Sequence, residues 1–475
     1  MNSPFDERKY KRLLKGLEAV EIKLNNLRKE NAEFRIESEF YKKEYRVLKN
    51  KLLSKPHKEL LFFLAQPVQT GHTPSMQNQK FYDGKIKFIK TDNLRDNYIK
   101  DDFNHYLSEL GNREIQRTLL KENDIITTII GATHDIIARS CIVRKELLPA
   151  NINQNIALIR VDIKKIKAEF LNIYLNSHFG KKYLHYLSRQ MEQVNLNCRE
   201  VEKVIVPILS LAFQNKIEKI VEIAYSKREH SHSIYRKAEE LLLKNIGLKD
   251  FKPSKKAINI KSFKKSFLTT GRLDAEYYQQ KYENYLHLIK KYSGGFCLLQ
   301  SVCNVKDSNY IPDEVKEYQY IELSDIGKTG NIVDCTNTQG KELPSRARRK
   351  INTNDVIISS IEGSLESCAL VTKEYNNALC LTGFYVINSH KINSETLLVL
   401  FKSEVMHNIL KQNCSGTILT AINKNEFSQI PIPLINKKTQ AKIADLIQES
   451  FSLRRESDKL LEKAKEMVEK EIERS

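Results

Sequence analysis

The chain repeats itself. RIESEFYKKEY from Arg35 returns as RLDAEYYQQKY from Arg272, an offset of 237. FIKTDNL from Phe88 aligns with YIELSDI from Tyr320 at 232, and ENDIITTII with TNDVIISSI at 231, which places Asp124 on Asp355. NIALI from Asn155 falls on GFYVI from Gly383 at 228, and residues 196–209 fall on 422–435 at 226. Chance matches would scatter in both directions, whereas these offsets only shrink. That is the mark of two homologous halves, with small loop deletions accumulating in the second.

Both halves close on a helical stretch at the common offset of 226, QNKIEKIVEIAYSKREHSHSIYRKAEELLLKNIG from Gln214 and QAKIADLIQESFSLRRESDKLLEKAKEMVEKEIE from Gln440. Their apolar positions coincide: Ile217, Ile220, Val221, Ala224, Ile234, Leu241 and Leu242 map onto Ile443, Leu446, Ile447, Ser450, Leu460, Met467 and Val468. One such helical stripe is an ordinary surface helix. Two matched helices of roughly 45 Å each are long for a compact domain and pair most simply as an antiparallel coiled coil, a rigid spacer. Leu13, Leu17, Val20, Leu24 and Leu27 follow 4-3-4-3 spacing and predict a further amphipathic helix over residues 1–34. In the body of each half, β-branched runs alternate with helical segments, and a proline-bounded apolar strand (VIVPIL, IPIPLI) precedes each long helix.

The expected fold is therefore α/β (α+β), with two pseudo-symmetric domains separated by long antiparallel coiled-coil helices. Its expected parts are the N-terminal helix 1–34, a first domain 35–212, a spacer helix 213–247, a basic linker 248–271, a second domain 272–438 and a second spacer helix 439–475.

Lysine and arginine outnumber the acids 78 to 59, a formal net charge of +19. An extended polyanion is the first partner to consider, because each neutralised phosphate releases counterions. No apolar run approaches the roughly 18 residues of a membrane span, and the opening segment is charged throughout, unlike a signal peptide. No membrane partner and a cytoplasmic location are expected. The eight cysteines lie scattered, without a C-x-x-C pair or zinc-finger spacing, a pattern of reduced, packed thiols with no metal. An adenine methyltransferase would need a glycine-rich cofactor loop and an N/D-P-P-aromatic segment, and neither occurs. Gly327-Lys328-Thr329 lacks the upstream glycine of a phosphate loop. Binding, without catalysis or a cofactor in this chain, is the expected role.

Taken together, these segments resemble the specificity subunits of type I restriction–modification systems, and equally the similar subunits of type IIB systems with bipartite sites. The resemblance is carried in the first half by TGHTP (70–74), YDGKIKFIKTDNL (82–94), the strand from Asp124, GATHDIIA (131–138), INQNIALIR (152–160) and QVNLN (193–197). In the second half it is carried by LPSRARRKINTNDVIIS (343–359), ALCLTGFYVI (378–387) and IPIPLI before Gln440. Asp135 replaces the second glycine of the family's G-x-T-x-G turn, and the second half has no T-G-x-T-P segment.

The resemblance implies two target-recognition domains on double-stranded DNA, with helices that dock adenine-specific methyltransferase subunits carrying S-adenosylmethionine and, in some systems, a translocating restriction subunit. The DNA-facing residues it indicates are Gly71, His72, Thr73, Thr91, Asn93, Gly131, Ala132, Thr133, Gln154 and Asn155 in the first half. In the second they are Arg346, Arg348, Arg349, Lys350, Ser360, Thr382 and Gly383. Gly71 to Pro74 and Gly131 to Thr133 read as turns. The basic run before a strand suits phosphates or guanine edges, and the amides suit adenine edges. Asn197 and Asn423 share a framework position and are expected to cap helices. Leu13, Leu17, Val20, Leu24, Ile217, Ile220, Ile443 and Leu446 are the expected partner-binding helix positions. The competing reading is a basic coiled-coil scaffold or RNA-binding protein with no methyltransferase partner.

Overall fold

The run IITT after Asp124 is buried on both faces, and in a computed structural model it forms the strand Ile125–Thr128. The structure describes residues 5–17, 20–22, 24, 25, 27, 35, 37–100, 103–190, 193–254, 256, 258–416 and 420–474. They divide into one compact unit of residues 1–225 with 457–475 and another of 226–456.

In the first unit, Ile125–Thr128 lies between Ile156–Ile159 and Ser140–Ile142, with Gln69–Thr70 on the far side of Ile156–Ile159, all antiparallel. In the second, Val356–Ser359 lies between Phe384–Ser389 and Cys368–Leu370, with Cys303–Lys306 beyond Phe384–Ser389. The strand order is the same.

A second sheet repeats as well, down to its register. Tyr82–Ile89 pairs in parallel with Ala150–Ile152, setting Phe88 opposite Asn151. Glu317–Ile321 pairs in parallel with Leu379–Leu381, setting Tyr320 opposite Leu379, and both of these residues are repeat counterparts of the first pair. Among the described residues, the proline-bounded strands Ile205–Pro207 and Pro431–Pro433 pair only with His57–Glu59 and Phe296–Leu298, as suits strands short of amide donors.

One helix packs on each main sheet, Ala168–Asn176 on Ser140–Ile142 and Ser394–Lys402 on Val356–Ser359 and Cys368–Leu370, and a second helix follows and packs on the first, His178–Leu187 in one unit and Glu404–Gln412 in the other. Ser177 and Ser403 sit at the junctions and accept the N–H of Gly180 at 3.3 Å and of Met406 at 3.4 Å, satisfying donors that the helix starts leave open. The aligned aspartates hold the strand entrances. Asp124 accepts the Lys121 N–H at 2.7 Å and two Arg160 N–H groups at 2.7 and 2.6 Å. Asp355 accepts the Asn352 N–H at 2.8 Å, Lys306 Nζ at 2.7 Å and Asn388 Nδ2 at 3.1 Å. Asn388 is the repeat counterpart of Arg160, so the buried carboxylate persists while its cation has moved to another strand. Asn197 and Asn423 accept the N–H of Glu200 at 2.9 Å and of Glu426 at 3.0 Å, the N-cap geometry.

The long helices are Leu211–Asn245 and Lys437–Arg474. They run antiparallel in the second unit: Lys227 pairs with Glu456 at 2.7 Å, Ser231 Oγ lies 3.0 Å from Ser450 Oγ, and Asn245 donates to Thr439 at 3.4 Å. The division between units falls inside both helices. Ile217, Val221 and Ala224 share the first core with Leu461, Ala464, Val468 and Ile472. Ile443, Ile447 and Phe451 share the second with Tyr235, Ala238, Leu242 and Ile246. Each fully buried aliphatic side chain here contributes about 1.5–3 kcal/mol.

Two expectations change. Ile217 and Ile443, taken as partner-binding positions, are fully buried by their own unit, while Ile220 and Leu446 remain partly exposed. Of the helix expected over 1–34, the structure forms Glu7–Leu13, capped by Asp6, and Leu24, Asn25 and Leu27 are helical again; between them the chain turns at Gly16, whose φ of +85° ends a helix. Leu13, Leu17 and Leu24 are largely exposed and Val20 partly so, and several residues of that segment lie outside the described set. The expected linker is pinned along the helix Gln280–Lys290: Ser254 N–H donates to Asn284 at 3.0 Å, and Lys261 pairs with Glu283 at 2.5 Å.

Candidate nucleic-acid interface

In the first unit, motifs far apart in sequence meet at one sheet edge. The segment after Gln69–Thr70 crosses directly over the 152–155 turn, and a Cβ on Gly71 would sit 1.9 Å from the Ile152 oxygen and 2.6 Å from the Asn153 oxygen. Only glycine permits that approach. It brings Thr73 Oγ1 to 2.5 Å from Gln154 Oε1. The Asn155 carbonyl accepts the Ile129 N–H at 2.9 Å, and Ile130–Gly131 pairs with Val194–Asn195. His72, Ala132, Thr133, Gln154 and Asn195 stand exposed along this edge. It is rich in hydroxyls and amides and carries the donors and acceptors that base edges require. Behind it the His134 ring meets His185 edge to face at 5.2 Å, and burial lowers the His185 pKa, so a neutral imidazole supports the turn.

Not every expected residue joins this edge. Asn93 is buried, its side-chain oxygen accepts the Lys90 N–H at 2.9 Å, and it therefore closes the turn Thr91–Asn93 and does not face solvent. Thr91 is half-buried with its hydroxyl oxygen enclosed.

The corresponding edge of the second unit is cationic. Ala347–Lys350 pairs with Leu379–Leu381 through a bulge between Ala347 and Arg349, and such bulges re-aim side chains. Arg346 and Lys350 are exposed, whereas Arg348 and Arg349 are half-buried, with Arg348 Nε donating to the Ser345 oxygen at 3.0 Å. Thr382 is exposed beside Arg346, whose carbonyl accepts the Thr382 N–H at 2.9 Å. Ser360 donates both its N–H and its hydroxyl to the Gly383 oxygen at 2.8 Å. Its hydroxyl thus serves the framework.

Sequence alignment had left this unit without a counterpart to the 70–74 loop. Strand pairing supplies one. Gln69 lies opposite Leu158, and Lys306 lies opposite Val386, the repeat counterpart of Leu158. Lys306 is therefore the equivalent of Gln69, an offset of 237, and residues 308–311 take the place of Gly71 to Pro74. The signal was present: 237 is the offset already seen at Arg35 and Arg272.

Residues 296–464 match the family described as the type I restriction modification DNA specificity domain. The second unit is thus similar to this specificity family. The matched residues contain the second unit's sheets and the start of its closing helix, and the first unit repeats their topology. A curated relative, the type I restriction enzyme EcoBI specificity subunit of Escherichia coli, is 30% identical over 139 residues, spanning 29% of this chain and 28% of the relative. The chain thus matches little more than a quarter of that relative's length. Among solved structures, the S subunit of the type I restriction-modification system from M. genitalium aligns with 88% of this chain and 95% of its own at 11% identity and a TM-score of 0.37. The HsdS subunit from Thermoanaerobacter tengcongensis aligns with 87% and 95% at 14% identity and a TM-score of 0.29. Among the described residues, no helix is long and apolar enough to cross a membrane.

Proposed function

We propose that this chain is the DNA-reading subunit of a methylating complex, with each unit reading its own half of a split double-stranded target. Adenine-specific methyltransferase subunits, which bind S-adenosylmethionine, would perform the chemistry, and a translocating restriction subunit would join in assemblies that have one. The observation that carries the reading is one loop-bearing edge built twice on one framework with different side chains. His72, Thr73, Gln154 and Asn195 line the first, Arg346, Lys350 and Thr382 the second. A shared framework with divergent loops is what two unequal half-sites require. Co-expression with a methyltransferase partner, followed by sequencing of modified adenines, tests it: a split, asymmetric motif supports the proposal. A contiguous motif, or capture of RNA in preference to duplex DNA, refutes it.

Two further outcomes follow. Deleting one heptad from each long helix is expected to change the spacing of the methylated half-sites and not the bases read, because helix length would set the gap; methylation mapping with unchanged spacing would sink the ruler idea. Replacing Arg346, Arg348 and Arg349 by alanine is expected to weaken the second half-site by about ten-fold and to flatten the salt dependence of binding. Equal loss on every duplex would make them non-specific phosphate ligands.

A further inference from the structure

Beside the basic strand of the second unit lies a cleft of about 400 Å³, walled by residues 305–310, Lys350 and Asn352. Its chemistry is mixed. Asp307, Ser308 and Asn309 are exposed, and Tyr310 is half-buried with the Lys350 ammonium 5.2 Å from its ring centroid. The segment is held firmly. Tyr310 N–H donates to the Arg348 oxygen at 2.8 Å, and the Tyr310 hydroxyl lies 3.2 Å from that of Tyr318. Among the described residues Arg349 Nη1 is enclosed without a hydrogen-bond partner, and the Arg349 charge acts on Asp307. Lys424, the first residue of the short helix that Asn423 caps, forms an ion pair with Asp307.

We infer that residues 307–310 are a base-reading loop of the second unit: Asp307 and Asn309 contact an amino-bearing base edge in the major groove, and Lys350 takes the flanking phosphate. The inference rests on the function proposed above. Three observations support it. The register equates residues 307–310 with Thr70 to Thr73, the segment that leads onto the exposed edge of the first unit. A carboxylate accepts from the cytosine amino group and a side-chain amide pairs with adenine, so these residue types match base edges that the neighbouring arginines and lysine cannot read. Lastly, a lone carboxylate on a phosphate-facing surface would repel the duplex. Lys424 neutralises it in the free protein, and a base amino group can take over as donor on binding.

The test uses the full chain co-expressed with its methyltransferase partner, in wild-type form and as Asp307→Asn and Asn309→Ala. The readouts are the methylated motif and the affinity for duplexes substituted base by base. Each variant is expected to lose about ten-fold or more of the discrimination at one or two positions of the second half-site, with the first half-site read as before. The unchanged first half-site serves as the internal measure of folding. Unaltered base preference at both halves, or equal loss at both, overturns the loop assignment while a split wild-type motif leaves the functional proposal standing. A wild-type chain with no sequence preference on DNA overturns both.

Discussion

Replacing Gly71 by alanine is expected to abolish reading of the first half-site, a loss of roughly 100-fold in specific affinity, while the second is read as before. The added methyl would lie 1.9 Å from the Ile152 carbonyl oxygen and 2.6 Å from that of Asn153. Both are backbone atoms within or beside the parallel strand Ala150–Ile152, so neither can swing aside as a flexible side chain would. The loop must move instead, which separates Thr73 from Gln154 and disperses the exposed edge. A control is available in Gly363, where an added Cβ meets nothing within 4 Å; Gly363→Ala is expected to be silent. Binding to duplexes carrying one half-site at a time, with thermal unfolding alongside, distinguishes loop displacement from unfolding. Retained affinity for the first half-site in Gly71→Ala would show that the loop plays no part.

The second large effect is on stability. Asp124→Ala is expected to destabilise the first unit by about 3 kcal/mol, because it strands the Arg160 guanidinium beside a buried strand. The Asp124 side chain is 2% exposed and that of Arg160 18%, so solvent would hydrate the orphaned charge only in part. Arg160 keeps contacts at 3.3 Å to Gln66 and 3.2 Å to the Leu119 oxygen, but neither is an anion. Denaturant unfolding followed by hydrogen exchange should show early opening of Ile125–Thr128 and Ile156–Ile159 and no change in Val356–Ser359. The double replacement Asp124→Leu with Arg160→Met is expected to recover part of the loss, since it removes both charges. If the single and double variants are equally unstable, the ion pair is not the cause.

Much of this architecture was legible in the chain because repetition and periodicity are linear properties. The repeat located both frameworks, and the strands after Asp124 and Asp355, the proline-bounded strands and the Asn197 and Asn423 caps stand where local chemistry places them. What was misread depended on neighbours distant in sequence. Asn93 looked like a surface amide within a DNA-like motif, yet its own turn consumes it. The apolar stripes of the long helices were legible, but not what would cover Ile217 and Ile443, since a stripe records that a face is buried and not by which element. The 307–310 loop escaped because it shares no residues with TGHTP; only the strand register aligns the two, and register is set by pairing across the sheet.

The sequence by itself therefore determined that there are two homologous α/β halves, each ending in a long amphipathic helix, on a strongly basic chain. These follow from side-chain order, which fixes periodicity and charge before any tertiary contact exists. Tertiary structure decided which loops converge, which amides are spent within the framework, and how the helices are shared: the start of each long helix packs into one unit's core and its end into the other's. Those outcomes depend on close packing and on hydrogen bonds between segments far apart in the chain, and no local pattern encodes them.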